Sequence, residues 1–135
     1  MRRYFCRAWS GVRTGRPLEP LEAQLVDVIR LHPEFHALLA DEAAACRWEP
    51  NADGAQANPF LHMSLHLALH EQVATDRPPG IRAIHRSLLA RTDDAHGLEH
   101  RMMDCLGRVL WDAQRGAAAP DERAYLECLR HLDGH

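Results

Sequence analysis

Asn58-Pro59-Phe60-Leu61-His62-Met63-Ser64-Leu65-His66-Leu67-Ala68-Leu69-His70-Glu71 sets three histidines at four-residue steps among Leu, Met, Phe and Ala. Asparagine is a favoured helix N-cap and proline suits the first helical position, so this spacing predicts a helix from Asn58 to about Ala74. On a wheel of about 100° per residue, His62, His66, Leu69 and Val73 share one narrow stripe, flanked by Leu65 on one side and by Met63 and His70 on the other. Phe60 and Leu67 fall on the far side with Ser64 and Glu71, so the helix is expected to be covered almost all round. His62 and His66 are expected to point inward.

Helical periodicity extends outward in both directions. Upstream, Leu21, Leu25, Val28 and Ile29 recur with period 3.6, predicting a helix from Pro17 to Leu31 with Asp27 and Arg30 outward. His32-Pro33 breaks it, because the residue before proline is pushed out of the α region, and Pro33 to Ala40 makes a second short helix with Phe35, Leu38 and Leu39 inward. In residues 2–16, Arg2, Arg3, Arg7, Arg13 and Arg16 interleave with Tyr4, Phe5 and Trp9 without an acid. Phe5, Ala8 and Trp9 share a face, so this segment reads as a short docking helix ended by Gly11 and Gly15. Residues 41–58, with Pro50, Asp53 and Gly54, read as the longest loop, mobile at its tip.

Downstream, Asp76-Arg77-Pro78-Pro79-Gly80 is a turn, and Ile81 to Arg91 a helix burying Ile84, Leu88 and Leu89. Asp93 or Asp94 caps the longest helix, which ends at Gly116. Leu98, Met102, Met103, Leu106, Val109, Leu110 and Ala113 form its apolar arc. A last helix begins near Pro120 with Tyr125, Leu126, Leu129 and Leu132 inward, and residues 133–135 form a fraying tail. No segment alternates as a strand does. The expected fold is all-α: one domain over residues 1–135, a helical bundle of five to seven helices with four of them in the core.

The chain has 135 residues, 46% of them hydrophobic and 26% charged, which suits a globular protein with a proper core. No apolar run approaches the roughly 18 residues that span a bilayer, so a membrane role is not expected. Every one of the 16 basic residues is arginine. Alongside abundant alanine this points to coding bias, so single arginines carry little functional weight. A net charge of −3 offers no field for nucleic acid, whereas protonating all ten histidines would reverse its sign. Cys6, Cys46, Cys105 and Cys128 form no C-x-x-C pair, and no apolar segment follows Arg2 and Arg3 as in a secretory signal. The reading is reduced thiols in the cytoplasm.

Five histidine pairs are spaced i, i+4: His32/His36, His62/His66, His66/His70, His96/His100 and His131/His135. Chance placement of the histidines would give about 0.7 such pairs. Residues four apart share a helix face about 6 Å along the axis, so both imidazoles can reach one ion. Two helices packed at about 8 to 10 Å can then present four nitrogens to one point. The expected metal ligands are His62, His66, His96 and His100, with Asp104, Glu99 and His70 as further ligands or hydrogen-bond acceptors behind them. Such an imidazole-rich set suits Zn, Fe, Cu or Ni. Against this stands a bland reading, in which each histidine is a neutral core residue bonded to a carbonyl or hydroxyl.

Familiar catalytic patterns fail. His70-Glu71-Gln72-Val73-Ala74 opens like the zincin motif but ends in alanine, the di-iron Glu-x-x-His pair is missing, and so are a phosphate-binding glycine loop and a G-x-S-x-G elbow. What remains resembles, in arrangement only, the histidine-lined bundles of the hemerythrin and DinB-like type. The blocks Leu31-His32-Pro33-Glu34-Phe35-His36-Ala37-Leu38-Leu39, Asn58 to Leu67, Asp76 to Ile81, and Glu99-His100-Arg101-Met102-Met103-Asp104-Cys105-Leu106-Gly107 more closely resemble a family of short bacterial proteins, chiefly proteobacterial, known as a domain of unknown function. The similarity covers nearly the whole chain and implies no activity. In that family's pattern the place of His70 is often a basic residue and that of Asp104 a glutamate, which weakens His70 as a ligand and favours a carboxylate at Asp104.

Two functions fit the sequence. One is a cytoplasmic metal-binding helical bundle, capable of metal-dependent hydrolytic or redox chemistry if a ligand position stays open to water, although no acid–base pair or substrate motif is legible. The other is a non-catalytic interaction module that binds a protein partner or a second copy of itself, its histidines being structural or pH-responsive.

Overall fold

A computed structural model describes residues 2–49 and 58–132. Among these the chain is all-α: α1 (Arg2–Thr14), α2 (Pro20–Arg30), a 3₁₀ turn (Pro33–Phe35), α3 (His36–Leu39), α4 (Glu42–Arg47), α5 (Pro59–Thr75), α6 (Ile81–Leu89), α7 (Ala95–Arg115) and α8 (Glu122–Arg130). The count exceeds the expected five to seven because α4 lies inside the expected loop, whereas the 3₁₀ turn and the single turn α3 together fill the expected helix from Pro33 to Ala40. Asp41 caps α4 by accepting a hydrogen bond from the Ala44 amide at 3.1 Å, and the alanines that follow are strong helix formers. The loop's turn formers Pro50, Asp53 and Gly54, and the tail 133–135, lie outside the described residues. No described helix is long and apolar enough to cross a membrane.

The chain forms two compact units, residues 1–67 and 68–135, and the boundary falls within α5. In the first unit Phe5, Cys6, Ala8, Leu25, Val26, Val28, Ile29, Leu39, Ala45, Phe60 and Met63 make one buried cluster. The arginine–aromatic N-terminus is part of this packing. Arg2 donates to the carbonyls of Ala45, Cys46 and Trp48 at 3.0, 3.2 and 2.8 Å, closing the C-terminal end of α4, and its guanidinium lies 4.8 Å from the Phe60 ring centre.

Two readings of this half are corrected. Gly11 does not end α1 but lies buried within it, and Gly15, at φ 75°, is the residue past its end. A Cβ at Gly11 would stand 2.7 Å from Arg16 Nη2 and 2.9 Å from Leu18, so the bare backbone lets the α1–α2 connection pass close by. On α2, Leu21 is 53% exposed while Glu22 is only 2% exposed. Glu22 faces the core because Arg16 reaches it at 2.8 and 3.3 Å and the Glu19 amide donates to it at 2.9 Å. That guanidinium, followed by the Glu19 amide, pushes the Glu22 carboxyl down to about 2.

In the second unit Asp76 Oδ1 accepts from the amides of Gly80 and Arg82 and so ties the turn that starts α6. Asp94, not Asp93, caps α7 by accepting from the Gly97 amide at 2.9 Å, and Asp121 caps α8 through Ala124. Leu98, Met102, Met103, Leu106 and Val109 are buried as expected, whereas Leu89 and Leu110, also expected inward, are exposed; Trp111, adjacent to Leu110, is exposed as well. Cys105 and Cys128 are not reduced thiols: they form a disulfide between α7 and α8, with Cα atoms 5.9 Å apart. The two are 23 residues apart, and only the packing of those helices brings them within bridging distance. Cys6 and Cys46 are free, and burial pushes the Cys6 thiol up.

Candidate metal centre

His32, His62 and His66 converge in the first unit. His32 follows the C-terminal end of α2, where Pro33 stops the helix and starts the 3₁₀ turn. Its ring is locked: Nδ1 lies 2.8 Å from the Val28 carbonyl, and since a carbonyl only accepts, Nδ1 carries the proton. In the neutral imidazole, Nε2 is therefore left with its lone pair. That atom lies 3.0 Å from His62 Nε2, which in turn lies 3.2 Å from His66 Nε2.

Asn58 fixes the direction from which α5 delivers its two histidines, its Oδ1 accepting from the amides of Phe60 and Leu61 at 3.0 and 3.2 Å. Met63 and Phe60 are buried in the core cluster, and the four-residue step then sets His62 and His66 one above the other with ring centres 4.9 Å apart. His32 and His66 are 2% and 1% exposed; His62 is half-buried. Burial and the Val28 bond leave little freedom for the rings to turn away.

Considered among themselves, the three facing Nε2 atoms cannot satisfy both contacts fully as neutral imidazoles. If His62 Nε2 carries a proton, one N–H is shared between two nitrogens. If it does not, its lone pair faces that of His32 at 3.0 Å. A cation accepts every lone pair at once and removes this conflict. Imidazole nitrogens about 2.0 to 2.1 Å from a tetrahedral zinc ion stand roughly 3.3 to 3.4 Å from one another, a few tenths of an ångström wider than the two separations seen here. The donor atoms of all three histidines lie within 4.8 Å of one another.

His36 Nε2 donates to the Ile29 carbonyl at 2.8 Å and its ring packs on Trp9, so it ties α3 to the end of α2. In the second unit His96 and His100 neighbour each other on α7 with ring centres 4.2 Å apart, as their spacing predicts. His70 Nε2 lies 2.7 Å from Glu99 Oε1. Asp104 is exposed on α7 and lines a groove with Arg101, Arg108 and His131. His131 Nδ1 donates to the Glu127 carbonyl, and its spacing partner His135 lies outside the described residues. Burial pulls His85 below its ordinary value, with nearby Glu99 opposing that shift and His70 adding to it.

His32 is the residue that the spacing of pairs on single helices passes over. It does continue the apolar stripe of α2, since Leu25, Val28 and Ile29 stand seven, four and three residues before it, and a histidine on a buried stripe is the signal that marks it.

No curated protein and no solved structure matches the chain. A family model does match it, over residues 1–131, and the chain belongs to the family described as a domain of unknown function, DUF1841.

Proposed function

We propose that this protein binds a divalent transition metal ion through the Nε2 atoms of His32, His62 and His66. The observation that carries this reading is the convergence of the three nitrogens, with His32 held in the tautomer that aims its lone pair at the other two. Three imidazoles suit zinc, copper, nickel or iron, and a three-histidine site keeps a position for water or substrate. A metal held there would supply Lewis-acid chemistry for hydrolysis or, if redox-active, electron transfer.

The sequence expectation that α7 supplies further donors, His96 and His100, is carried as a separate arm of the same experiment, with Asp104, Glu99 and His70 as its secondary members. The cytoplasmic setting loses its thiol argument, because a disulfide such as Cys105–Cys128 is characteristic of oxidising compartments.

Metal analysis of untagged protein, followed by titration of chelator-treated protein with zinc, copper, nickel and ferrous iron, tests the proposal. At least one ion should bind near one equivalent and raise the melting temperature, and His62→Ala should weaken it at least about 100-fold, more than loss of an outer-shell contact costs. A melting temperature indifferent to all four ions would overturn it. Retained affinity in His62→Ala would do the same. A loss in His100→Ala as large as in His62→Ala would add α7 to the ligand set.

A second reading, an interaction module for a protein partner or a second copy, draws on Leu110 and Trp111, adjacent on α7 and 40% and 60% exposed. Trp111→Ser should then shift the elution of any oligomer toward the monomer without changing metal content.

A further inference from the structure

The second unit holds a cleft of about 420 Å³ lined by the end of α5, α6 and the start of α7. That volume lies in the range of small-molecule sites, which are typically apolar with a few converging polar groups. Leu69, Val73, Leu89 and Met102 supply apolar wall. Its polar side is made by His70, Glu99 and His85, and the first two are joined by the 2.7 Å contact between Nε2 and Oε1.

We propose that this cleft binds an uncharged, mainly apolar molecule of aromatic size carrying one hydroxyl group, its ring against the Leu69–Val73–Leu89–Met102 wall and its hydroxyl beside His70, His85 and Glu99. A hydroxyl both donates and accepts, so it can give its proton to the Glu99 carboxylate while receiving a hydrogen bond from an imidazole. A ligand carboxylate would be set against Glu99, and a ligand ammonium would meet one carboxylate already engaged by His70 at 2.7 Å; each would lose its hydration against apolar wall. Burial also holds His85 toward its neutral form, which suits a neutral guest.

The probes are 2-naphthol, 2-naphthoate and 2-naphthylmethylammonium, which share an apolar body and differ in charge, titrated into the full-length protein by calorimetry with melting temperature as a second readout. 2-Naphthol should bind at least about 10-fold more tightly than either charged analogue. Ala74→Trp, at an exposed position on the rim, should cut its affinity at least about 10-fold by filling the cleft, and Leu89→Trp provides the same block from α6 if Ala74→Trp folds poorly. His85→Phe should weaken 2-naphthol while sparing naphthalene. The proposal is overturned if millimolar 2-naphthol gives neither heat nor a higher melting temperature, if both blocking variants bind it as the parent does, or if a charged analogue binds more tightly.

Discussion

The two halves of the chain each show a histidine contact of a different kind. In residues 1–67 three imidazoles face one another through Nε2, and one of them has its tautomer dictated by a backbone carbonyl. In residues 68–135 an imidazole faces a carboxylate, His70 against Glu99, at the edge of a cleft. An imidazole beside a carboxylate has an acceptor for its N–H. Imidazoles that face one another through Nε2 could instead direct their lone pairs at one cation. Residue type alone thus does not define a metal site; the partner of each ring nitrogen does. The halves also differ in what holds them. Both bury an apolar core, but the first keeps its thiols free, whereas the second adds a staple from α7 to α8.

That contrast can be broken most forcefully at Phe5. Its ring is 1% exposed and stacks on Phe60 with centres 5.7 Å apart, so Phe5→Ala should cost about 4 kcal/mol in denaturant unfolding. A cost under about 1 kcal/mol would mean that the first half does not depend on its apolar cluster. In the second half, replacing both Cys105 and Cys128 by alanine should cost about 3 kcal/mol, from the entropy returned to the unfolded chain when a loop of this length is opened. The same loss should follow reduction of the parent protein by dithiothreitol. Equal stability with and without reductant would remove the staple from the comparison.

Smaller effects sharpen the contrast by acting on one side only. His32→Ala should lower affinity for the preferred metal ion by at least about 100-fold, while His85→Ala leaves it unchanged; parallel losses would show that the halves do not use their histidines differently. Acid should act on both halves in separate windows. Glu22 has its pKa depressed from 4.5 to about 2, so the stability it contributes is complete above pH 4.5 and disappears as pH falls toward 2; Glu22→Gln should flatten unfolding curves there. His85 is also depressed, but as a base. Its neutral form is favoured in the fold, so stability is full above about 6.5 and declines as pH drops below it, and His85→Phe should flatten that limb. A decline at pH 6 that survives this substitution would reassign it to another histidine.

Much of the local structure was legible in the residues. The 3.6 period of α2, α5 and α7, the caps at Asn58 and at Asp93 or Asp94, and the break at His32-Pro33 all act within one or two helical turns, and the chain obeys them. Discrepancies cluster where a side chain chooses a distant neighbour. Leu21 turned outward and Glu22 inward because Arg16, six residues away, neutralises the acid that would otherwise be costly to bury. Gly11 remained helical because the connection after α1 returns across it.

By itself, then, the sequence determined that the chain is helical, where most helices start and stop, and that His62 and His66 share one buried face, since backbone propensity, capping and face periodicity are short-range properties. Only the tertiary structure decided that His32 joins them, that Cys105 meets Cys128, and that His70 has Glu99 for a partner. Each of these pairings spans more than 20 residues of chain and exists only once helix faces have packed, so no spacing rule along one helix can register it.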